Sequence, residues 1–206
     1  MKAVQINEFG GPDAMKYQDV LDPSPGDGEA LVEIQAVGVN YTDVYSRAGI
    51  NPGPPLPRTI GVEGAGVVRA VGSGVTEVKV GDEIAYSSVN GSYAEQAVVP
   101  AWRLMKRPAG VDAKAGAAAI LQGMTAHYLC HGFTTLGPES SCLVHAGAGG
   151  VGHILVQLAK HQGARVLTTV GSEEKAEFVK QLGADVVIPY RDVDFREVVM
   201  TETNAK

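Results

Sequence analysis

A glycine-rich segment in the second half of the chain has the spacing of a phosphate-binding turn. Residues 147–152 read GAGGVG and match the pattern G-x-G-x-x-G. A short apolar run precedes them at residues 143–146, and apolar residues at helical offsets begin at Val151. In that context glycines allow a tight turn, a close approach of the backbone to a pyrophosphate, and close packing of a helix.

This segment therefore predicts a dinucleotide site, because the free N–H groups at the start of the helix would face the phosphates. A glycine turn without a ligand is the alternative. The residues expected to line this part of the site are Ala146, Gly147, Gly149, Gly150, Val151 and Gly152.

The residues that follow the next apolar run bear on which dinucleotide is bound. Gly171 and Ser172 stand there, and Lys175 comes one helical turn later. NAD sites usually place an acidic residue at this point to bind the ribose 2′-OH. A small residue, a hydroxyl and a cation suit a 2′-phosphate instead, so the segment predicts NADPH. Two alternatives stay open: Glu173 or Glu174 approaches the ribose, or Lys175 is only a solvated helix residue.

Strands and helices alternate around these motifs. Apolar runs predict strands at residues 143–146, 165–170 and 186–188, with helices from Val151, from Ser172 to Leu182, and from Phe195 onward. Such alternation is typical of a parallel sheet with right-handed crossovers. A full doubly wound domain usually has about six strands, so we expect a fragment or a naturally shortened form. A complete three-stranded domain is the alternative.

The first hundred residues have a different pattern, with short β-branched runs separated by glycine and proline turns. Runs at residues 1–6, 30–37 and 61–68 predict strands, and residues 79–86 predict a turn that enters another strand. The proline-rich residues 51–57 predict a loop. Short strands at this spacing indicate a small barrel or sandwich.

Composition limits the classes of function. The chain has 206 residues, 17 basic and 23 acidic side chains, and a net charge of −6. Without a basic cluster, nucleic-acid binding is not expected. No apolar run reaches the ~20 residues of a membrane helix, and the start lacks the apolar core of a signal peptide. Two cysteines, Cys130 and Cys142, exclude a disulfide scaffold, so a cytoplasmic setting is expected.

Four segments together give a more specific resemblance over essentially the whole chain. They are AVGVNYTD at 36–43, GVEGAGVV at 61–68, GMTA at 123–126 and HAGAGGVG at 145–152. In this order they resemble the zinc-free quinone oxidoreductases, the zeta-crystallin-like group of the medium-chain dehydrogenase/reductase superfamily.

The resemblance implies an α/β chain with two domains. A GroES-like β-barrel domain at residues 1–125 would carry the substrate site, with its C-terminal portion missing, and a partial Rossmann domain at residues 126–206 would hold NADPH. It also implies hydride transfer to a small quinone or enone, commonly by a homodimer.

Residue roles follow from the same resemblance. Asn40 and Tyr45 would contact the substrate, and Asp43 would support the local loop. Thr125 would lie beside the nicotinamide and count with them among the catalytic residues. The alternatives are a turn residue for Asn40 and core packing for Tyr45.

Two further cofactor contacts are implied. Gln122 would lie beside the nicotinamide, although related enzymes often carry lysine at that position. Tyr190 follows the third predicted strand and matches a cofactor-contacting tyrosine, with an ordinary strand-end aromatic as the alternative.

The expected site contains no metal. Zinc alcohol dehydrogenases of this superfamily place a cysteine near Asn40 and a histidine–glutamate pair near Glu63. Here the first region has no cysteine, and Val62 stands where the histidine would be. A catalytic zinc needs about three protein ligands. His127 and His131 lie close together without a third ligand in view.

Two rival functions are left open. One is a non-catalytic fragment that acts only through a partner, because a truncated sheet exposes an apolar edge. The other keeps the fold but changes the chemistry, to an enoyl reductase or an alcohol dehydrogenase.

Overall fold

The computed structural model describes residues 1–51 and 53–204, and it divides the chain into two compact units. The first unit is Met1–Leu121 and the second is Gln122–Lys206. Across the described ranges, no helix combines the length and the apolar character that crossing a membrane requires.

The first unit is built from short strands, as the turn-rich first half of the sequence predicts, and they pair in antiparallel fashion. Its elements in chain order are β1 Lys2–Ile6, β2 Met15–Asp19, β3 Glu29–Val37, α1 Tyr41–Ala48, β4 Arg58–Thr59, β5 Glu63–Val71, β6 Glu83–Ser87, β7 Gln96–Pro100, β8 Met105–Lys106 and α2 Ala113–His127, the last of which continues into the second unit.

Two sheets organise these strands. One has five strands in the order β7-β3-β5-β6-β8, and the other has three in the order β2-β1-β4. Val32, Val68, Ile84 and Val99 point into a shared core and are fully buried. Such β-branched side chains fit the buried face of a pleated sheet.

The pairing of β3 with β5 brings Asn40 close to Glu63. Val37 at the end of β3 pairs with Gly64 at the start of β5. Asn40 follows β3 by three positions, and Glu63 begins β5. The register of one strand pair therefore sets the neighbourhood of the first unit's candidate residues.

The second unit confirms the predicted strand–helix alternation. Its elements are β9 Ser141–Val144, α3 Gly150–His161, β10 Arg165–Val170, α4 Glu173–Gln181, β11 Val186–Pro189 and α5 Phe195–Glu202. The sheet order is β11-β10-β9, and both pairings are parallel. Val144, Val156 and Val166 form its buried centre.

In the second unit, the carboxyl ends of two strands differ from the predicted ones. β9 ends at Val144, two residues early, because the N–H of Ala146 donates to the Thr169 side chain instead of a strand carbonyl. Pro189 is the last residue of β11 and does not simply follow it. A proline is tolerated there because β11 is an edge strand of the described sheet, where a missing donor breaks no ladder bond.

Candidate functional site

The turn between β9 and α3 has a fixed shape in which an alanine, not a glycine, takes the left-handed conformation. Ala146 has φ of 53°, and its carbonyl accepts a hydrogen bond of 2.8 Å from the N–H of Gly149. Its own N–H donates to Thr169 Oγ1 at 3.0 Å. Left-handed backbone is uncommon outside glycine and tends to occur at functional sites.

Two glycines of this turn lie so close to neighbouring atoms that a Cβ at either position would overlap them. A Cβ on Gly147 would overlap the Thr168 hydroxyl, which is buried and donates to the Val144 carbonyl at 2.7 Å. A Cβ on Gly152 would overlap the Ala146 carbonyl oxygen and lie 2.8 Å from the Gly147 Cα. The helix therefore starts against the strand end, and its N-terminal dipole faces the turn.

A cavity of about 100 Å³ lies beside the turn. Its wall contains residues that the sequence singles out separately, from the glycine turn, the end of β10, α4 and the segment after β11. The lining residues are Ala146, Ala148, Gly149, Thr169, Val170, Gly171, Lys175 and Tyr190. A second cavity of about 460 Å³ shares three of these residues and is lined by His145, Ala146, Thr169, Tyr190 and Phe195.

Lys175 and Ser172 have distinct positions at the start of α4. Lys175 is part of the cavity wall. The Ser172 hydroxyl caps the helix by accepting the Lys175 backbone N–H at 3.4 Å. Among the described residues that line the cavity, neither Glu173 nor Glu174 is found.

Tyr190 lies across Gly171. A Cβ on Gly171 would stand 2.8 Å from the tyrosine Oη, and the Tyr190 N–H donates to the Val170 carbonyl at 3.2 Å. The ring is half exposed and faces both cavities.

Gln122 lies against the start of α3. A Cβ on Gly150 would be 3.2 Å from Gln122 Cγ. Thr125 stands three residues further along α2, so the two side chains share a helix face.

The charge and space of this unit fit the phosphates of a dinucleotide. One cation, a helix N-terminus and a glycine turn border the same space, and anions are stabilised near helix N-termini.

Asp43, which the resemblance expects to support the local loop, lies at the start of a helix. It occupies the first turn of α1, and its Oδ2 accepts the Asn40 backbone N–H at 2.8 Å. The same oxygen accepts the Tyr93 hydroxyl at 2.8 Å. Burial, followed by the bond to Asp43, raises the pKa of Tyr93 well above its ordinary value. Asp43 thus ties the start of α1 to the loop before β7.

Tyr45 and Asn40 differ in exposure. Tyr45 is 39% exposed and makes an edge-to-face contact with Tyr41, with ring centres 5.2 Å apart. Asn40 is partly buried and precedes α1 in extended conformation. Its Nδ2 donates to Glu63 at 2.7 Å.

The two histidines noted in the sequence do lie close together. The rings of His127 and His131 are 4.4 Å apart between centres. Within the described part of the chain, no group of three or more His, Cys, Asp or Glu side chains is placed to hold a metal. Cys130 lies between these two histidines in the sequence and is buried in the structure, and this burial raises the pKa of its thiol.

Sequence reasoning missed several residues of these sites. Thr168 and Thr169 shape the turn and the cavity, and Tyr93 and Glu63 hold the segment around Asn40. A signal for the threonines exists: two hydroxyls interrupt an otherwise apolar buried strand just before its carboxyl end. Tyr93 has no such signal, because its partner is 50 residues away.

Comparison with known proteins identifies the superfamily. Residues 26–109 match the alcohol dehydrogenase GroES-like domain, and residues 150–206 match the zinc-binding dehydrogenase domain. The chain is 40% identical over 206 residues to a quinone oxidoreductase of Pseudomonas aeruginosa, which covers 100% of this chain and 63% of that protein.

Solved structures agree. The quinone oxidoreductase of Escherichia coli complexed with NADPH aligns with a TM-score of 0.96 at 36% identity, over 100% of this chain and 64% of the other. An NAD-dependent alcohol dehydrogenase aligns with a TM-score of 0.90 at 32% identity, over 100% of this chain and 68% of the other. The chain thus spans just under two thirds of the length of the quinone oxidoreductases named here. With both domain types present in order and the whole chain aligned, it belongs to the medium-chain dehydrogenase/reductase superfamily.

Proposed function

We propose that this chain binds NADPH and transfers hydride from it to a quinone or enone-type substrate without a zinc ion. The observation that carries the proposal is the shared cavity of the second unit. Gly149, Gly171, Lys175 and Tyr190 come from four separate segments and line the same space. Their chemistry matches the parts of a phosphorylated dinucleotide.

Each part of that ligand would meet a suitable group. The start of α3 and its glycine turn would bind the pyrophosphate. Lys175 would hold the 2′-phosphate through its ammonium group, with the Ser172 hydroxyl nearby. Tyr190 would pack beside the ribose or base. The side chains of Gln122 and Thr125 would lie beside the nicotinamide.

Bound NADPH supplies the hydride, and the protein supplies position and hydrogen bonds. Asn40 and Tyr45 would contact the substrate, since an amide and a phenol can both bond to a carbonyl oxygen. Hydrogen bonds to the carbonyl oxygen stabilise the negative charge that develops on it during hydride transfer, which lowers the activation free energy. Asp43 would keep α1, and with it these two side chains, in place.

The proposal includes the state and setting of the protein. We infer a homodimer in the cytoplasm, with domains divided near residue 125. Sedimentation velocity tests the dimer, and limited proteolysis around residue 125 tests the division.

The first experiment is a thermal melt of the full chain with NADPH, with NADH and without ligand. A ligand that binds only the folded state adds about 2.7 kcal/mol of stability at about 100 times its Kd. We expect a larger rise in Tm with NADPH than with NADH. Oxidation of NADPH is then followed by absorbance with a quinone and with an enone. Equal shifts in Tm for the two dinucleotides would contradict the proposed 2′-phosphate site. Cofactor binding without turnover would contradict the proposed enzymatic activity.

The likeness to an NAD-dependent alcohol dehydrogenase supports a second candidate, a zinc-using dehydrogenase. Metal analysis of the purified chain separates the two. Stoichiometric zinc together with alcohol oxidation by NAD would favour the second candidate over the quinone reductase.

A further inference from the structure

Glu63 is a fully buried carboxylate in the first unit. It begins β5 and has no exposed surface. Its Oε1 accepts the backbone N–H of Leu121 at 2.7 Å, and its Oε2 accepts Nδ2–H of Asn40 at 2.7 Å. Both oxygens therefore act as acceptors, as they do in an ionised carboxylate.

The backbone around Glu63 is arranged to fit this side chain. Its N–H donates to the Ser92 hydroxyl at 3.2 Å, and its carbonyl accepts the Gly38 N–H at 3.1 Å. A Cβ on Gly38 would overlap Oε2 and lie 2.8 Å from the Ala117 carbonyl oxygen. Glycine at position 38 therefore leaves the space in which the carboxylate reaches Asn40.

Asn40 is consequently held through its backbone and through its side chain, and it forms a capping box with Asp43 at the start of α1. Asp43 accepts its backbone N–H, and Glu63 accepts its side-chain N–H. A free asparagine amide presents its nitrogen or its oxygen equally well by turning over. An acceptor-only partner removes that freedom, because only Nδ2 can face a carboxylate. Oδ1 then lies on the side of the amide away from Glu63.

We propose that Glu63 is a positioning residue that fixes the orientation of the Asn40 amide, and with it the end of the amide that a substrate meets. The inference rests on the proposed function, in which Asn40 contacts the substrate. Glu63 itself touches no reacting atom and acts through Asn40.

The variant Glu63→Gln tests the orientation of the Asn40 amide while keeping the volume of the side chain at position 63 nearly unchanged. Glutamine has nearly the same shape but only one acceptor oxygen beside a donor NH₂ group. Leu121 N–H and Asn40 Nδ2–H both need an acceptor, so one of them would face a donor. Asn40 relieves this clash by turning its amide over, which presents the opposite end to the substrate.

The experiment compares Glu63→Gln with Glu33→Gln, an identical change at a partly exposed carboxylate of β3 that pairs with Arg69. NADPH affinity, kcat and KM for a quinone are measured in the full chain. We expect Glu63→Gln to lower kcat/KM about 10- to 100-fold, as loss of a hydrogen bond to a charged group does. NADPH affinity should stay within about twofold. Glu33→Gln should leave all three unchanged.

A double variant tests whether Glu63 acts through Asn40. Contacting residues give non-additive effects, so Glu63→Gln should cause little further loss once Asn40→Ala is present. An equal loss in both backgrounds, or a Glu63→Gln enzyme that behaves like Glu33→Gln, would overturn the proposal.

The side-chain amide resonances of Asn40 give a readout that needs no turnover. In the wild-type chain one Nδ2 proton should exchange slowly with solvent, and rapid exchange of both would contradict the proposal even if Glu63→Gln does not fold. If the wild-type chain reduces no quinone, the proposed function fails. Slow exchange would then still show that Glu63 orients the amide, which keeps the two failures distinct.

Discussion

The hydroxyl of Tyr190 occupies the space that a side chain on Gly171 would need. A Cβ at position 171 would lie only 2.8 Å from the tyrosine Oη. Gly171 follows β10 and Tyr190 follows β11, so the ends of two neighbouring parallel strands meet here. In open α/β sheets ligands bind at the carboxyl ends of the strands, and the contact lies in the wall of the smaller cavity.

Replacing Gly171 by alanine is therefore expected to weaken NADPH binding by displacing the Tyr190 ring. The fold should tolerate the change, with a loss of no more than about 1 kcal/mol, because the ring edge is exposed and can move. The measurement is NADPH affinity by fluorescence titration beside a thermal melt. Gly137→Ala is the control, since a Cβ there meets nothing within 4 Å. Equal NADPH affinity in both variants would show that the Gly171–Tyr190 contact does not contribute to cofactor binding.

Removal of the Lys175 charge should lower the affinity for NADPH but not for NADH. Lys175→Ala deletes the cation that lines the cavity, and we expect a loss of about tenfold or more for NADPH. The wild-type preference should also weaken as salt rises, because ions screen charge pairs. Lys180→Ala, on the same helix with a half-exposed side chain, is the matched control. An equal loss of affinity for NADH would mean that Lys175 does not bind the 2′-phosphate.

The second unit was predictable because its signals are local. Ser172 caps α4 as its residue type suggests, and the apolar stripe from Val151 specifies α3. Buried parallel strands read as apolar runs, so β10 has the predicted bounds. Both Lys175 and Tyr190 line the smaller cavity. The end of β10 indicated Lys175, whereas Tyr190 was implied by the resemblance.

The first unit was less predictable because its site depends on distant partners. Helix α1 is short and begins with Tyr41 and Thr42, which are poor helix formers. Its start is secured by Asp43 and, through Asp43, by Tyr93. Nothing in the sequence pairs those two residues. The alanine-rich α2 is a different case, since helix propensity alone favours it.

Loss of the Asp43 carboxylate should destabilise the first unit strongly. Asp43→Ala leaves the Tyr93 hydroxyl and the Asn40 N–H without their acceptor in a partly buried place. Each unmade bond costs about 1–3 kcal/mol, so we expect a loss of about 2–4 kcal/mol in urea unfolding. Tyr93→Phe should cost less, because Asp43 then keeps the backbone N–H. Asp13→Ala, at an exposed carboxylate, should change little. A loss below about 1 kcal/mol for Asp43→Ala would contradict this account of the start of α1.

Acid should weaken the second unit through Asp185. Burial would raise the pKa of this carboxyl, but the Lys160 ammonium at 2.8 Å and the Val166 N–H at 2.7 Å outweigh burial and hold the pKa below its ordinary value of 3.8. The unfolded state then binds the proton more readily than the folded state, so stability rises with pH in this range. The contribution of Asp185 is fully present above the unfolded value of 3.8 and is lost as the pH falls through the lower folded value.

We therefore expect the unfolding free energy of Asp185→Asn to lie below that of the wild type at neutral pH and to converge on it in acid. Urea titrations between about pH 6 and pH 2 measure the difference. Asp192→Asn, at an exposed aspartate of the same unit, is the control and should follow the wild-type curve. A difference that stays constant down to the acid end would show that Asp185 stabilises the unit by packing and not through its charge.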